Sequence, residues 1–188
     1  MTERGLARLP ELLRRSGEEV LTKISEIDAR PVAGIVEILA GAKRVFVLGA
    51  GRSRLVAEAF GMRLSQLGVT CHVVGSSTAP AIEAGDVLVC CSRSGNTGTV
   101  VLLTEKAVDV GATVVAVTGD GTSRLGELAD HLIPVEQDAA RSTDEGALFA
   151  GSAFEETAFL LFDCVTNALA GELDVDSESA ARRHANLE

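Results

Sequence analysis

The feature that most restricts the fold is a recurrence of short, unbroken apolar runs between Arg44 and Val135: "RVFVLG", "VTCHVVG", "DVLVCCS", "ATVVAVTG" and "HLIPV". A strand with one wet face alternates apolar and polar residues, so continuous runs of this kind belong to strands buried on both faces. Helical spacing fills most of the intervals, from about Ser53 to Gly68, Thr97 to Val110, Ser123 to Ala129 and Ser152 to Leu169. The pattern predicts a three-layer α/β sandwich with a five-stranded parallel sheet flanked by helices, flavodoxin-like or Rossmann-like in class. Ahead of it, Leu12, Leu13, Val20, Leu21, Ile24 and Ile27 recur at helical spacing, which predicts an amphipathic helix starting near Pro10; Pro31 opens a second helix and Gly41 closes it. At 188 residues and 46% hydrophobic, the chain supplies one domain with a sizeable core. Its expected organisation is an N-terminal helical segment over 1–40 that packs on the core or on a partner, a core domain over 41–175 and a tail over 176–188.

Charge narrows the function. With 17 basic and 27 acidic residues the net charge is -10, which opposes nucleic acid and anionic membrane surfaces as partners. Aromatic residues make up 3%, with no Trp or Tyr, leaving no stacking platform for bases or sugar rings. "MTERGLARLP" lacks a signal-peptide apolar region, and Asp163 and Asn167 interrupt the most apolar helical stretch, so a cytoplasmic protein with no membrane association is expected. Cys71, Cys90, Cys91 and Cys164 lie in apolar segments without CxxC spacing and read as small core residues in a reducing compartment.

Two loops carry candidate chemistry. In an open α/β sheet, ligands sit beyond the carboxyl ends of the strands. After the first strand stands Gly49-Ala50-Gly51-Arg52-Ser53, where the glycines permit close backbone approach, Ser53 caps the next helix or binds a ligand oxygen, and Arg52 adds charge. A dinucleotide fingerprint needs a small residue where Arg54 stands and an acid at the end of the next strand, which instead ends Val73-Val74-Gly75-Ser76-Ser77. After the third strand stands Ser92-Arg93-Ser94-Gly95-Asn96-Thr97, whose hydroxyls and free N–H groups at a helix N-terminus suit a phosphate monoester; Ser94 or Thr97 as a simple helix cap is the alternative. The segment 136–151 has no clear periodicity and reads as an active-site lid or as a surface connection.

"GAGRS", "SRSGNT" and "VVAVTG" together resemble the sugar isomerase (SIS) domain of phosphosugar isomerases and phosphosugar-binding regulators. "TAPAIEAGD", "GSAFEETA" and the terminal "RRHANLE" narrow the resemblance to the 6-phospho-3-hexuloisomerase family of the ribulose monophosphate pathway. The resemblance implies a sugar phosphate substrate, interconversion of D-arabino-hex-3-ulose 6-phosphate and D-fructose 6-phosphate through a cis-enediol, and no cofactor or metal. It further implies a homo-oligomer, commonly a tetramer, and functional coupling to 3-hexulose-6-phosphate synthase.

Such a reaction needs a base for a C–H proton, a group that serves the oxygens and a grip on the phosphate. The resemblance gives the base to Glu155. Its position in the first turn of the last helix equally suits an acid that balances the helix dipole, and Glu156 is its neighbour and rival. His184, in the resembling tail, is assigned proton transfer at the oxygens or ring opening, provided the tail docks, into the cleft of a neighbouring subunit. Gly51, Arg52, Ser53, Ser92, Ser94 and Thr97 are assigned to the phosphosugar. His72 and His131 fall in predicted strands as structural residues, with no ligand-like spacing among the three histidines. Many relatives carry Gly where Arg93 stands and Glu where Asn96 stands, and Ala79 replaces a frequent hydroxyl residue, which bears on substrate preference. A non-catalytic phosphosugar-binding regulatory module would keep both loops without a base; an isomerase for another sugar phosphate would keep all of these features.

Overall fold

The structure, a computed structural model, describes residues 3–135 and 152–186. The strands are β1 (Val45–Gly49), β2 (Cys71–Val73), β3 (Val87–Ser92), β4 (Thr113–Thr118) and β5 (His131–Pro134). They form one sheet in the order β2-β1-β3-β4-β5, and every neighbouring pair is parallel. The helices are α1 (Glu3–Ser25), α2 (Ala29–Gly41), α3 (Arg52–Leu67), α4 (Gly98–Asp109), α5 (Arg124–Leu128), α6 (Ser152–Glu172) and α7 (Ser177–Arg182).

Side chains alternate across a strand, so each continuous apolar run serves both faces. Val45, Val47, Val87, Val89, Cys91, Val115 and Val117 point into one core with α2, α3 and α6. Phe46, Leu48, Leu88, Cys90 and Ala116 point into the other, which Val100 and Ala107 of α4 and Leu125 of α5 close. Phe60 of α3 stacks on Phe162 of α6 with ring centroids 4.3 Å apart, locking those two helices side by side. At the amino end of the sheet the buried Asp86 accepts two bonds from Arg44, at 2.9 and 2.6 Å, and one from the Glu83 N–H at 2.8 Å.

Several expectations need correction. α1 starts at Glu3, and Pro10 lies inside it: a proline within a helix forfeits one backbone bond and leaves the remaining turns to form. α2 starts at Ala29, because Asp28 caps it by accepting from the Arg30 N–H at 2.9 Å, and Pro31 falls within its first turn. α7 interrupts the tail, capped by Asp176, which accepts from the Ser179 N–H at 2.7 Å. Cys164 is exposed on the outer face of α6, whereas Cys90 and Cys91 are buried and Cys71 is half-buried; all four are free. Burial pushes the Cys71 and Cys90 thiols up to about 12. The segment read as a lid or a connection, 136–151, lies outside the described residues. Among the described residues no helix is long and apolar enough to cross a membrane.

Candidate active site

The strand order turns back between β1 and β3, and the carboxyl ends of these two strands lie side by side, with Gly49 opposite Cys91 in the register. A crevice opens at such a switch point. α3 and α4 both begin there, so the two loops singled out in the sequence face one another.

Gly49 is required by close approach, since a Cβ on it would lie 2.7 Å from the Ser53 carbonyl oxygen. Gly51 is the N-cap of α3 at φ 57° and provides no capping side chain; Thr97 is the N-cap of α4 and its hydroxyl makes no capping bond. By contrast, Asp28 caps α2, Ser123 caps α5 and Asp176 caps α7 with a side-chain bond. The two helices that open onto the crevice therefore present bare first-turn N–H groups and the positive ends of their dipoles to the same space. Ser94 does not cap α4 either: its exposed hydroxyl accepts from the Asn96 N–H at 3.3 Å.

The second loop is held stiffly. Gly95, at φ 61°, packs against the Ser123 hydroxyl and its carbonyl accepts from the Leu125 N–H at 2.9 Å. Asn96 accepts from the Arg124 N–H at 3.0 Å and donates to the Ser94 carbonyl at 3.1 Å. A carboxylate at position 96 could accept the Arg124 N–H but could not donate to the Ser94 carbonyl, so the amide alone makes both the bond to α5 and the bond that closes the loop on itself. Sequence reasoning missed Thr118 and Ser123 as the floor of this loop. The small polar run "TGDGTS" at the end of β4 was the available signal.

Glu155 lies in the first turn of α6 and is 8% exposed. The Ser53 hydroxyl donates to its Oε1 at 3.2 Å, and Arg52 Nε stands 3.6 Å from its Oε2, which is buried without a hydrogen-bond partner. Cys91 at the end of β3 lies close enough to feel this carboxylate; burial first, and the Glu155 charge second, push its thiol up and keep it neutral. Glu156 is exposed, so of the two rivals only Glu155 joins Arg52, Ser53 and Cys91. Ser92, 3% exposed, ends β3 below the crevice, and Thr97 is half-buried at its rim.

His184 is not brought to this group within the chain. It follows α7, is exposed, and lines a cavity of about 500 Å³ with Arg63 and Gln66 of α3 and Asp163, Asn167 and Ala170 of α6. These residues lie at the far ends of both helices: from Glu155 to Asn167 alone α6 rises roughly 18 Å, at about 1.5 Å per residue. Arg183 Nη1 donates to the Gln66 carbonyl at 3.4 Å, holding the tail against the C-terminus of α3. His72 stands in β2, its ring tilted against Phe46 at 5.2 Å between centroids, and His131 is exposed in β5.

Fold and site define an α/β domain in which two helix N-termini without side-chain caps meet at a strand switch point, beside a buried carboxylate. The chain matches the SIS domain family over residues 38–161. It is 40% identical over 175 residues to the 3-hexulose-6-phosphate isomerase of Mycobacterium gastri, covering 91% of this chain and 87% of that one. It is 32% identical over 176 residues to the 3-hexulose-6-phosphate isomerase of Methylomonas aminofaciens, covering 91% and 97%. A crystal structure from Methanococcus jannaschii, from which the function of 3-hexulose-6-phosphate isomerase has been inferred, superposes with a TM-score of 0.83 at 30% identity, covering 95% and 99%. The chain belongs to the SIS-domain family and, within it, to the 3-hexulose-6-phosphate isomerases.

Proposed function

We propose that this protein interconverts D-arabino-hex-3-ulose 6-phosphate and D-fructose 6-phosphate through a cis-enediol. The observation that carries this reading is the buried Glu155 carboxylate, with one oxygen free of hydrogen bonds, beside two helix N-termini stripped of side-chain caps. Bare first-turn N–H groups bind a phosphate dianion well, and those of Gly51 to Ser53 and of Thr97 onward supply them, with the hydroxyls of Ser92, Ser94 and Thr97. Arg52, 60% exposed, adds positive charge and reaches the sugar oxygens.

In the direction of fructose formation, Glu155 Oε2 removes the proton from C2 of the hexulose and returns it to C3. The hydroxyl at C2 loses its proton while the oxygen at C3 gains one, which is the transfer we give to His184. The carbon oxidised and the carbon reduced are neighbours in one molecule, so the redox balance closes within the substrate.

The separation of His184 from Glu155 supports a site completed by a second subunit. α3 and α6 run in the same direction, from the Glu155 end to the His184 end, and between these ends they expose Leu55, Met62, Phe159 and Leu160. Two copies packed antiparallel about a two-fold axis bury that apolar surface and set each His184 against the other copy's Glu155. α1 exposes a second apolar surface, with Leu13 and Leu21 67% and 64% exposed, which supports a tetramer built from two kinds of contact. Free cysteines suit a reducing cytoplasm, and a synthase that makes the hexulose phosphate is the natural functional partner.

The test is turnover by the purified protein, with a chelator present, of hexulose phosphate made in situ from formaldehyde and ribulose 5-phosphate, with fructose 6-phosphate followed by a coupled dehydrogenase. Wild-type turnover that E155Q abolishes while phosphosugar still stabilises the fold is the expected result. Saturable phosphosugar binding without turnover would instead make this a binding module.

A further inference from the structure

We infer that Arg183 is a positioning residue, which fastens the tail to the end of α3 and so sets where His184 is presented to the neighbouring subunit; the inference rests on the roles proposed above for His184 and for a shared site. α7 has six residues, too few to keep its place by helix formation alone, so the tail stands where its outward contacts put it. The side chains of Asp176 and Arg182 bond within the tail, the first to the Ser179 N–H and the second to Glu178 and Ser179. Arg183 instead reaches another element, with Nη1 donating to the Gln66 carbonyl at 3.4 Å.

The end of α3 is shaped to receive it. The last carbonyls of a helix have no partner in a following turn. Here the Val69 N–H returns to the Leu64 carbonyl and the Gly68 N–H to that of Ser65, both at 3.0 Å, which leaves the Gln66 carbonyl for the guanidinium. A cation at this point also meets the negative end of the helix dipole. Gly68 makes the room: it closes α3 at φ 90°, and a Cβ on it would lie 3.2 Å from Arg183 Cζ and 3.4 Å from Nε and Nη2. The guanidinium fills the space that a side chain at 68 would enter. Gln66 is itself buried, its side chain accepting from Arg63 at 3.1 Å, so the receiving residue is fixed. His184 follows the anchor directly. The N–H groups of Arg183 and His184 close back onto the Ala180 and Ala181 carbonyls, each at 3.1 Å, so anchor and imidazole move as one body. α3 thus opens its first turn onto one site and sets, with its last carbonyls, the histidine given to the other.

The test compares R183A with H184A and E155Q in the assembled full-length protein, with inorganic phosphate as a competitive inhibitor. In R183A we expect kcat to fall by about 10- to 100-fold, the scale of a misplaced catalytic group. The inhibition constant for phosphate should stay within about twofold of wild type, since Arg183 touches no ligand. Subunit mixing then assigns the lesion. A residue that positions His184 fails in the chain that carries the histidine, so R183A co-assembled with E155Q should recover about one quarter of wild-type activity. R183A with H184A should gain nothing over the two assayed apart. A general loss of stability would not follow this pattern. G68N is the second variant: asparagine tolerates the left-handed region and keeps the end of α3, while its Cβ displaces the guanidinium, so it should behave as R183A does in the same mixtures. Wild-type kcat in folded R183A overturns the inference, and phosphate inhibition weakened by about tenfold alongside it would make Arg183 a ligand instead. Complementation of H184A by R183A overturns it as well. Failure of E155Q and H184A to complement one another is a separate result: it removes the shared site on which the inference rests, whatever R183A does.

Discussion

Gly95 is a position where one methyl group decides whether the phosphate loop forms. At φ 61° an L side chain is strained, and a Cβ would run into the Ser123 hydroxyl and lie 2.9 Å from Thr118 Oγ1. Gly95→Ala should lower stability by about 1–3 kcal/mol in denaturant unfolding and weaken inhibition by inorganic phosphate by about tenfold. An alanine variant that binds phosphate as wild type does would separate this loop from the ligand. The glycine was legible in "SGN", but its partners come from the end of β4 and the turn after it, and the polar run "TGDGTS" does not say which loop it packs against. Asp86 acts at the other end of the sheet. Burial pushes its carboxyl up, and the Arg44 guanidinium with the Glu83 N–H more than reverses this, holding it below the usual carboxylate range. A depressed folded pKa gives stability that is complete above the unfolded value, about 4, and is lost as pH falls through the folded value. Asp86→Asn should therefore be less stable than wild type by about 3 kcal/mol near neutral pH. The gap between the two proteins should narrow in unfolding experiments as pH falls below about 4 and through the lowered folded value.

Among the elements, α4 shows most plainly that the site is held at some expense of stability. Its N-cap, Thr97, makes no capping bond, while the caps of α2, α5 and α7 are made. An aspartate there would accept a first-turn N–H and favour the dipole, so Thr97→Asp should raise stability by about 0.5–1 kcal/mol in thermal or denaturant melts. The same charge would repel a phosphate, and KM should rise by about tenfold or more. A variant that gains stability with KM unchanged would show that α4 does not receive the phosphate. The elements themselves were largely legible, because strands buried on both faces announce themselves as unbroken runs such as "VLVCC". The helix starts were less so. Pro10 was read as an opening residue, and α7 was unread because its six residues rest on one cap and a few contacts with α3 and carry too little apolar periodicity to register.

On the scale of the whole molecule, the roles proposed for Glu155 and His184 need an arrangement that joins opposite ends of two parallel helices. The motif residues Glu155 and His184 were both legible as candidates, but their separation was not, since it follows from the direction in which α6 leaves the site and from where Arg183 fastens the tail. A site shared across a two-fold axis makes a quantitative prediction. E155Q and H184A should each be inactive alone, since every site lacks one group. In a mixed dimer, one of the two sites carries both lesions and the other carries neither. Random mixing makes half of the dimers hybrid, each with one intact site, so an equimolar co-assembly should recover about one quarter of wild-type activity. A site completed within one chain has no intact copy in any hybrid, and its mixture stays inactive. Titrating one variant against the other at fixed total protein should trace a parabola with its maximum at equal proportions, and the height of that maximum measures how freely the subunits exchange.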